Sequence, residues 1–225
     1  MTSAAPSRLT ALARQARVDA DARLERCELC SVVIEPEHRH VLDLSKGELL
    51  CSCRPCALLF DRDGVPSGQL RAVSERRLAL PPIALDDERW AALGVPVEMA
   101  FFVRSSSDSK VRALYPSPAG ATEATLDATA WWEGLVADSP ALPELADDVE
   151  ALLVDRVRGR RRCFVVGIDV AYRLVALVRT GWRGITGGTP MWKALDSFFD
   201  DLQQSARPLA KAARGSPQGG GKELR

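Results

Sequence analysis

The segment VEALLVDRVRGRRRCFVVGIDVAYRLVALVRTGW, residues 149–182, holds two strand-like apolar runs, VEALLVDR and RCFVVGID, around the short basic link VRGRR. A helical pattern, AYRLVALVRTGW, follows directly. The same order occurs upstream, where VEMAFFVR (97–104) and KVRALYP (110–116) flank the polar SSSDS. DATAWWEGLV then reads as a helix with Trp131, Leu135 and Val136 on one face, stopped by Pro140 and Pro143. Val97 and Glu98 match Val149 and Glu150 at an offset of 52 residues, and Lys110 matches Arg162 at the same offset. The expected body is therefore α+β, a ββα-ββα repeat forming an antiparallel sheet with helices on one face. Two unrelated hairpins of similar length are the alternative. A C-terminal helix, PMWKALDSFFDDLQQ, completes the body, with Thr189 as N-cap, Pro190 at the first helical position and Trp192, Leu195, Phe198, Phe199 and Leu202 as its packing stripe.

Upstream of the body, CELC (27–30) is followed after 22 residues by CRPC (53–56). Two CxxC turns bring thiolate pairs onto one ion, so Cys27, Cys30, Cys53 and Cys56 are the expected metal ligands. HRHVLDL and GELLCSC are strand-like, SKG turns them, and CALLF can begin a helix at Cys56, whose thiolate the helix N-terminus would favour. This is the pattern of a zinc ribbon or treble clef. A segment this short has too little core to fold alone, and a structural zinc supplies about 10 kcal/mol of folding free energy. Iron in a rubredoxin-like site uses the same four thiolates and is the alternative cofactor. Cys51 lies two residues before Cys53, so it is a candidate substitute ligand or a nearby free thiol, and His38 and His40 are further substitute ligands. A His-metal nuclease on the same scaffold is disfavoured, because no His or Asn follows Cys56. Disulfides are disfavoured in a chain read as cytosolic, and Cys163 within RCFVV reads as a small buried hydrophobe.

Composition narrows the function. Thirty basic and thirty acidic side chains cancel, which argues against a general polyanion binder. Glu25, Glu28, Glu35 and Glu37 crowd the cysteine segment and further disfavour a nucleic-acid-binding zinc protein. The longest apolar run is broken by Asp169 and Arg173, so membrane insertion is not expected. The first residues lack the apolar core of a secretory signal, and the expected location is cytoplasmic. Expected boundaries are a partly helical tail over 1–26, the tetracysteine module over 27–60, a connector over 61–95, the α+β domain over 96–206 and a disordered tail over 207–225. In the connector, QLRAVSERRLAL reads as an edge strand and DDERWAAL as a short helix opened by Asp86.

Two Gly-, Ser- and Pro-rich loops, 115–123 and 183–190, are candidate ligand loops. In the second, Arg183, Gly187, Gly188 and Thr189 precede a helix N-terminus, the usual setting of an anion site, although packing connectors have the same composition. No Ser-His-Asp arrangement is present, both histidines lie in the metal segment, and the expected role is non-enzymatic.

CELC, EHRHVLDL, LLCSCRPCALLF, AFFVRSS, ALYPSPAGATE, VEALLVDRVRG and WRGITGG, in that order, resemble an uncharacterised domain family of high-GC Gram-positive bacteria. The resemblance runs from about Cys27 to Leu202. Members of that family tend to be encoded beside nickel–iron uptake hydrogenase genes, which implies an accessory role in hydrogenase expression, maturation or electron transfer. The implied partner is a protein, a hydrogenase subunit or a maturation factor. The resemblance carries over the cysteine pattern onto Cys27, Cys30, Cys53 and Cys56, and no catalytic residue.

Overall fold

The computed structural model describes residues 24–61, 69–184 and 187–209. The expected N-terminal helix before residue 24, the turn over 62–68 and the tail beyond 209 lie outside the described residues. The chain divides into two compact units, residues 1–74 and 75–225.

In the first unit, the turn bearing CELC is closed by the Cys27 amide donating to the Val32 carbonyl (2.8 Å) and the Ser31 amide donating to Cys27 (2.7 Å). Strands β1 (Arg39–Asp43) and β2 (Glu48–Ser52) form an antiparallel hairpin, and β3 (Leu70–Ala72) pairs with the other edge of β1. The hairpin turn is fixed by Asp43, whose carboxylate accepts from the Ser45 hydroxyl (2.6 Å) and the Ser45 amide (2.9 Å). These bonds, the hydroxyl's first, hold the Asp43 carboxyl below its usual range. Gly47 closes the turn at φ +67°, a conformation that costs a residue with a Cβ. Helix α1 (Arg54–Leu58) then starts two residues before the expected Cys56, with Cys53 at its N-cap position and proline in its first turn.

The second unit is built on a seven-stranded sheet of spatial order β10 (Arg207–Pro208), β4 (Arg77–Ala79), β9 (Arg162–Gly167), β8 (Glu150–Asp155), β5 (Met99–Arg104), β6 (Val111–Ser117) and β7 (Gly120–Glu123). Its centre is the expected pair of hairpins: β5 (Met99–Arg104) with β6 (Val111–Ser117), and β8 (Glu150–Asp155) with β9 (Arg162–Gly167), joined through an antiparallel β5–β8 contact. Three further strands extend it. The expected ligand loop 115–123 is instead a hairpin with β7 (Gly120–Glu123) as an edge strand. The expected single edge strand of QLRAVSERRLAL is split between the two units: LRA is β3, and RLA is β4 (Arg77–Ala79), which pairs with β9. Residues Arg207–Pro208 form β10, parallel to β4 on the sheet edge, so order continues past the 206 boundary expected for the body.

Helices α2 (Asp87–Ala91), α3 (Thr129–Asp138), α4 (Ile168–Gly181) and α5 (Thr189–Ser205) cover both faces of this sheet, which corrects the expectation of one. Adjacent strand residues point to opposite faces, and Phe101 and Phe102 show which helix lies where. Phe102 stacks on Trp131 of α3 at 4.7 Å between centroids, within a core that includes Trp90 of α2, Leu135, Leu152 and Val165. Phe101 meets Tyr172 of α4 edge-on, and its register mate Leu153 pairs with Phe164, which lies against Phe199 of α5. The two hairpins do not keep the expected offset of 52. Arg104↔Val111 in one hairpin corresponds to Asp155↔Arg162 in the other, an offset of 51. An odd offset exchanges the faces, so equivalent positions feed opposite cores.

Local details follow from sequence. Asp86 caps α2 by accepting from the Arg89 amide at 2.8 Å, as expected. In α3, Leu135 is buried but Val136 is exposed, so the expected face is narrower. In α5 the N-cap is Gly188 rather than Thr189, and Met191 replaces Trp192 among the buried residues. Gly187 (φ +84°) lets that packing occur, since a Cβ there would lie 2.6 Å from the Met191 methyl.

Charge also stabilises the second unit. Asp155 is fully buried, accepts a hydrogen bond from Arg162 Nε (2.9 Å) and forms an ion pair with Arg160 (3.0 Å), while Arg160 also reaches Asp196 (2.7 Å) and Arg162 reaches Asp200 (2.7 Å). Arg156 pairs with Asp87 and lies over the Trp90 ring at 5.1 Å. The basic link between β8 and β9 is thus an internal clamp from sheet to helices.

Candidate metal centre

Cys27, Cys30, Cys53 and Cys56 come together: their sulfur atoms all lie within 4.8 Å of one another, and Cys30 and Cys53 are 3.7 Å apart. None is in a disulfide. A tetrahedral ion with metal–sulfur bonds of about 2.3 Å sets its ligands about 3.8 Å apart, so the four thiols need only a small contraction to hold one. Two local structures place them. The tight turn after β-bridged Arg26 presents Cys27 and Cys30, while the N-cap and first turn of α1 present Cys53 and Cys56. The Glu28 amide donates to the Cys51 carbonyl (2.9 Å), tying the first turn to β2.

The thiols do not ionise alike. Burial opposes ionisation of Cys27, 1% exposed, but backbone amides of Cys53, Leu29 and Cys30 outweigh it and hold its thiol at about 6. Cys56 is pushed up to about 12 by its hydrogen bonds with Cys53 and Cys30, by burial and by the Cys27 charge. Cys30 is also raised: the backbone bond from Val32 favours its thiolate, but the interaction with Cys27 outweighs it. The sequence expectation that the helix N-terminus makes Cys56 the readily deprotonated thiol is therefore corrected. Cys27 is the thiol that ionises most readily, while Cys30 and Cys56 are held toward their protonated forms and give up protons as a cation binds.

The sequence model of a family of unknown function, DUF5947, matches residues 26–206. The chain belongs to that family. The DUF5947 match spans both cysteine pairs, every strand described here except β10, and all five helices described here. No curated protein and no solved structure matches.

The remaining candidates sit elsewhere. Cys51 does not join the four-cysteine group; it faces His40 across the β1–β2 pair, and with His38 they form a separate group. Chain direction explains this, because β2 ends at Ser52 and Cys53 turns away into the N-cap of α1. Arg183 of the expected anion loop folds back, donating to the carbonyls of Thr180 (3.0 Å) and Trp182 (2.9 Å) at the end of α4. Its amide also donates to the Gly187 carbonyl, while Gly188 and Thr189 begin α5. Cys163 is buried, and burial pushes its thiol up to about 12. Sequence reasoning treated Glu25 and Glu28 as generic acidity and missed their placement: Glu28 accepts from the Cys51 amide, and Glu25 lies 3.4 Å from His38. No helix among the described residues is long and apolar enough to cross a membrane.

Proposed function

We propose that this chain is a non-enzymatic zinc-binding accessory protein acting by protein–protein recognition, in the expression or maturation of nickel–iron hydrogenases. The observation that carries the zinc reading is the convergence of four cysteine sulfurs within 4.8 Å. Four thiolates close the coordination sphere of a tetrahedral ion and leave no position for water or substrate, which suits a structural ion rather than a catalytic one. The knuckle, hairpin and helix that carry them follow one another in the order of a treble clef. Recognition is supported by the distribution of exposed apolar side chains. Five of the eight large ones among the described residues, Leu24, Val32, Val33, Leu58 and Leu59, belong to the smaller unit. The hydrogenase association rests on the sequence resemblance alone.

A second reading, a rubredoxin-like iron site in a hydrogenase electron path, is favoured by the exposure of Cys30, which gives the cluster a solvent-facing edge for electron transfer.

X-ray absorption on untagged protein from a host supplied with zinc and iron tests both. A colourless protein with a zinc centre of four sulfur neighbours at about 2.3 Å supports the first reading. Iron with thiolate charge-transfer bands moves the conclusion to the second, and a metal-free cysteine set overturns both. Binding to a panel of purified hydrogenase subunits and maturation factors tests the association, and failure to bind any of them removes it.

A further inference from the structure

We propose that His38, His40 and Cys51 form a second metal site, separate from the four-cysteine set, for a late first-row divalent transition ion. The three side chains are assembled by the β1–β2 hairpin. Register places His40 directly opposite Cys51, and His38, two residues back along the chain, brings its ring to 4.8 Å from that of His40. One donor atom from each residue lies within 4.8 Å of the other two.

The protonation of His38 shows which atom is offered. Its Nδ1 lies 2.9 Å from the Glu35 carbonyl oxygen, which only accepts, so Nδ1 carries the proton and the neutral ring keeps its lone pair on Nε2. Nε2 is buried and has no hydrogen-bond partner, in a side chain only 8% exposed. An unpartnered buried acceptor is costly unless something fills the space before it. Metal-bound imidazoles characteristically donate their other nitrogen to a carbonyl or carboxylate, and His38 Nδ1 has both, with Glu25 at 3.4 Å behind the carbonyl bond. Glu28, bonded to the Cys51 amide, adds a second negative charge beside the group. Carboxylates so placed favour a cation over an empty pocket.

Two imidazoles and a thiol select borderline-soft ions, zinc, copper, nickel or cobalt, over calcium or magnesium. Three protein ligands leave a fourth position open, unlike the closed tetrathiolate. The second site therefore exchanges its ion or takes an external ligand, whereas the first retains its ion.

The test uses full-length protein whose cysteine set already holds zinc, titrated with Co(II). The expected result is one further equivalent of cobalt, bound reversibly, with a sulfur-to-cobalt charge-transfer band from a single thiolate. Cys51→Ser removes that band, and the His38→Ala/His40→Ala pair weakens cobalt binding at least about tenfold. In both variants the zinc retains its four-sulfur shell by X-ray absorption, which shows that the module is folded. Absence of a second equivalent in the wild type overturns the proposal, as does unchanged cobalt binding and band in the variants. Wild-type protein without a four-sulfur zinc centre counts against the proposed function instead, and the second site is then judged by the same variants with cobalt alone.

Discussion

The two units of this chain are stabilised in different ways. In the first, the buried apolar residues among those described are, besides Cys27, Ile34, Val41, Leu42, Ala57, Ala72 and Val73, a core too small to offset the ordering of the chain around it. In the second, β5, β8 and β9 are buried on both faces, Phe101, Phe102, Leu152, Leu153 and Phe164 are fully enclosed, and arginine–aspartate pairs tie the strands to helices. The comparison teaches that an ion held by the four cysteines would bear on one unit only. The first should depend on its cysteines for its fold, and the second on packing and charge.

The largest expected effect is on the first unit. Cys53→Ser removes one of the four proposed ligands and with it much of the roughly 10 kcal/mol that a structural zinc would contribute to folding. Limited proteolysis should then cut within residues 24–74 while the second unit resists, and a soluble variant with metal still bound and the module uncut would break the comparison.

In the second unit, Asp155→Ala should cost about 3 kcal/mol, because it leaves two arginines facing a buried cavity without their carboxylate. Urea unfolding measures the change, and a loss under about 0.5 kcal/mol would show that Asp196 and Asp200 alone hold those arginines. Phe101→Ala and Phe102→Ala sharpen the two-faced sheet. Each should cost about 3–5 kcal/mol, since each ring fills a different core. If helices covered only one face, one of the two substitutions would be nearly neutral.

The smallest effect concerns pH. Asp196 is held below its usual range, first by its hydrogen bond with Arg160 and then by the charges of Arg158 and Arg160. A carboxyl lowered in the folded state contributes stability that is fully present above its unfolded value near 3.8 and is lost as pH falls through its lower folded value. Asp196→Asn should therefore lower stability at neutral pH and flatten its decline in that acidic window. An unchanged acid profile would assign the decline to other carboxyls.

How much of this was legible in the sequence follows from the length of each signal. The CxxC spacing, the Asp86 cap and the two central hairpins rest on local patterns, and each appears where the sequence places it. Strands β4 and β10, of three and two residues, are too short to show a period and exist through pairing with a neighbour. GATE reads as loop because Gly120 and Ala121 have little strand propensity, yet pairing with β6 makes it an edge strand. The facing of the helices was hidden because MAFFVR and EALLVD are apolar without alternation, the mark of strands buried on both sides. His40 and Cys51, eleven residues apart, become neighbours only once the hairpin register is known.

Hydrogen exchange measured before and after metal removal by a chelator, with all thiols kept reduced, tests the dependence of the first unit on its cysteine-bound ion most directly. The predicted result is loss of protection at the amides of β1, β2 and β3 and at Ala57, with amides of β5, β8 and β9 unchanged. Retained protection throughout the first unit in the metal-free protein would contradict a metal-dependent fold and make the cysteine cluster an addition to a module that folds without it.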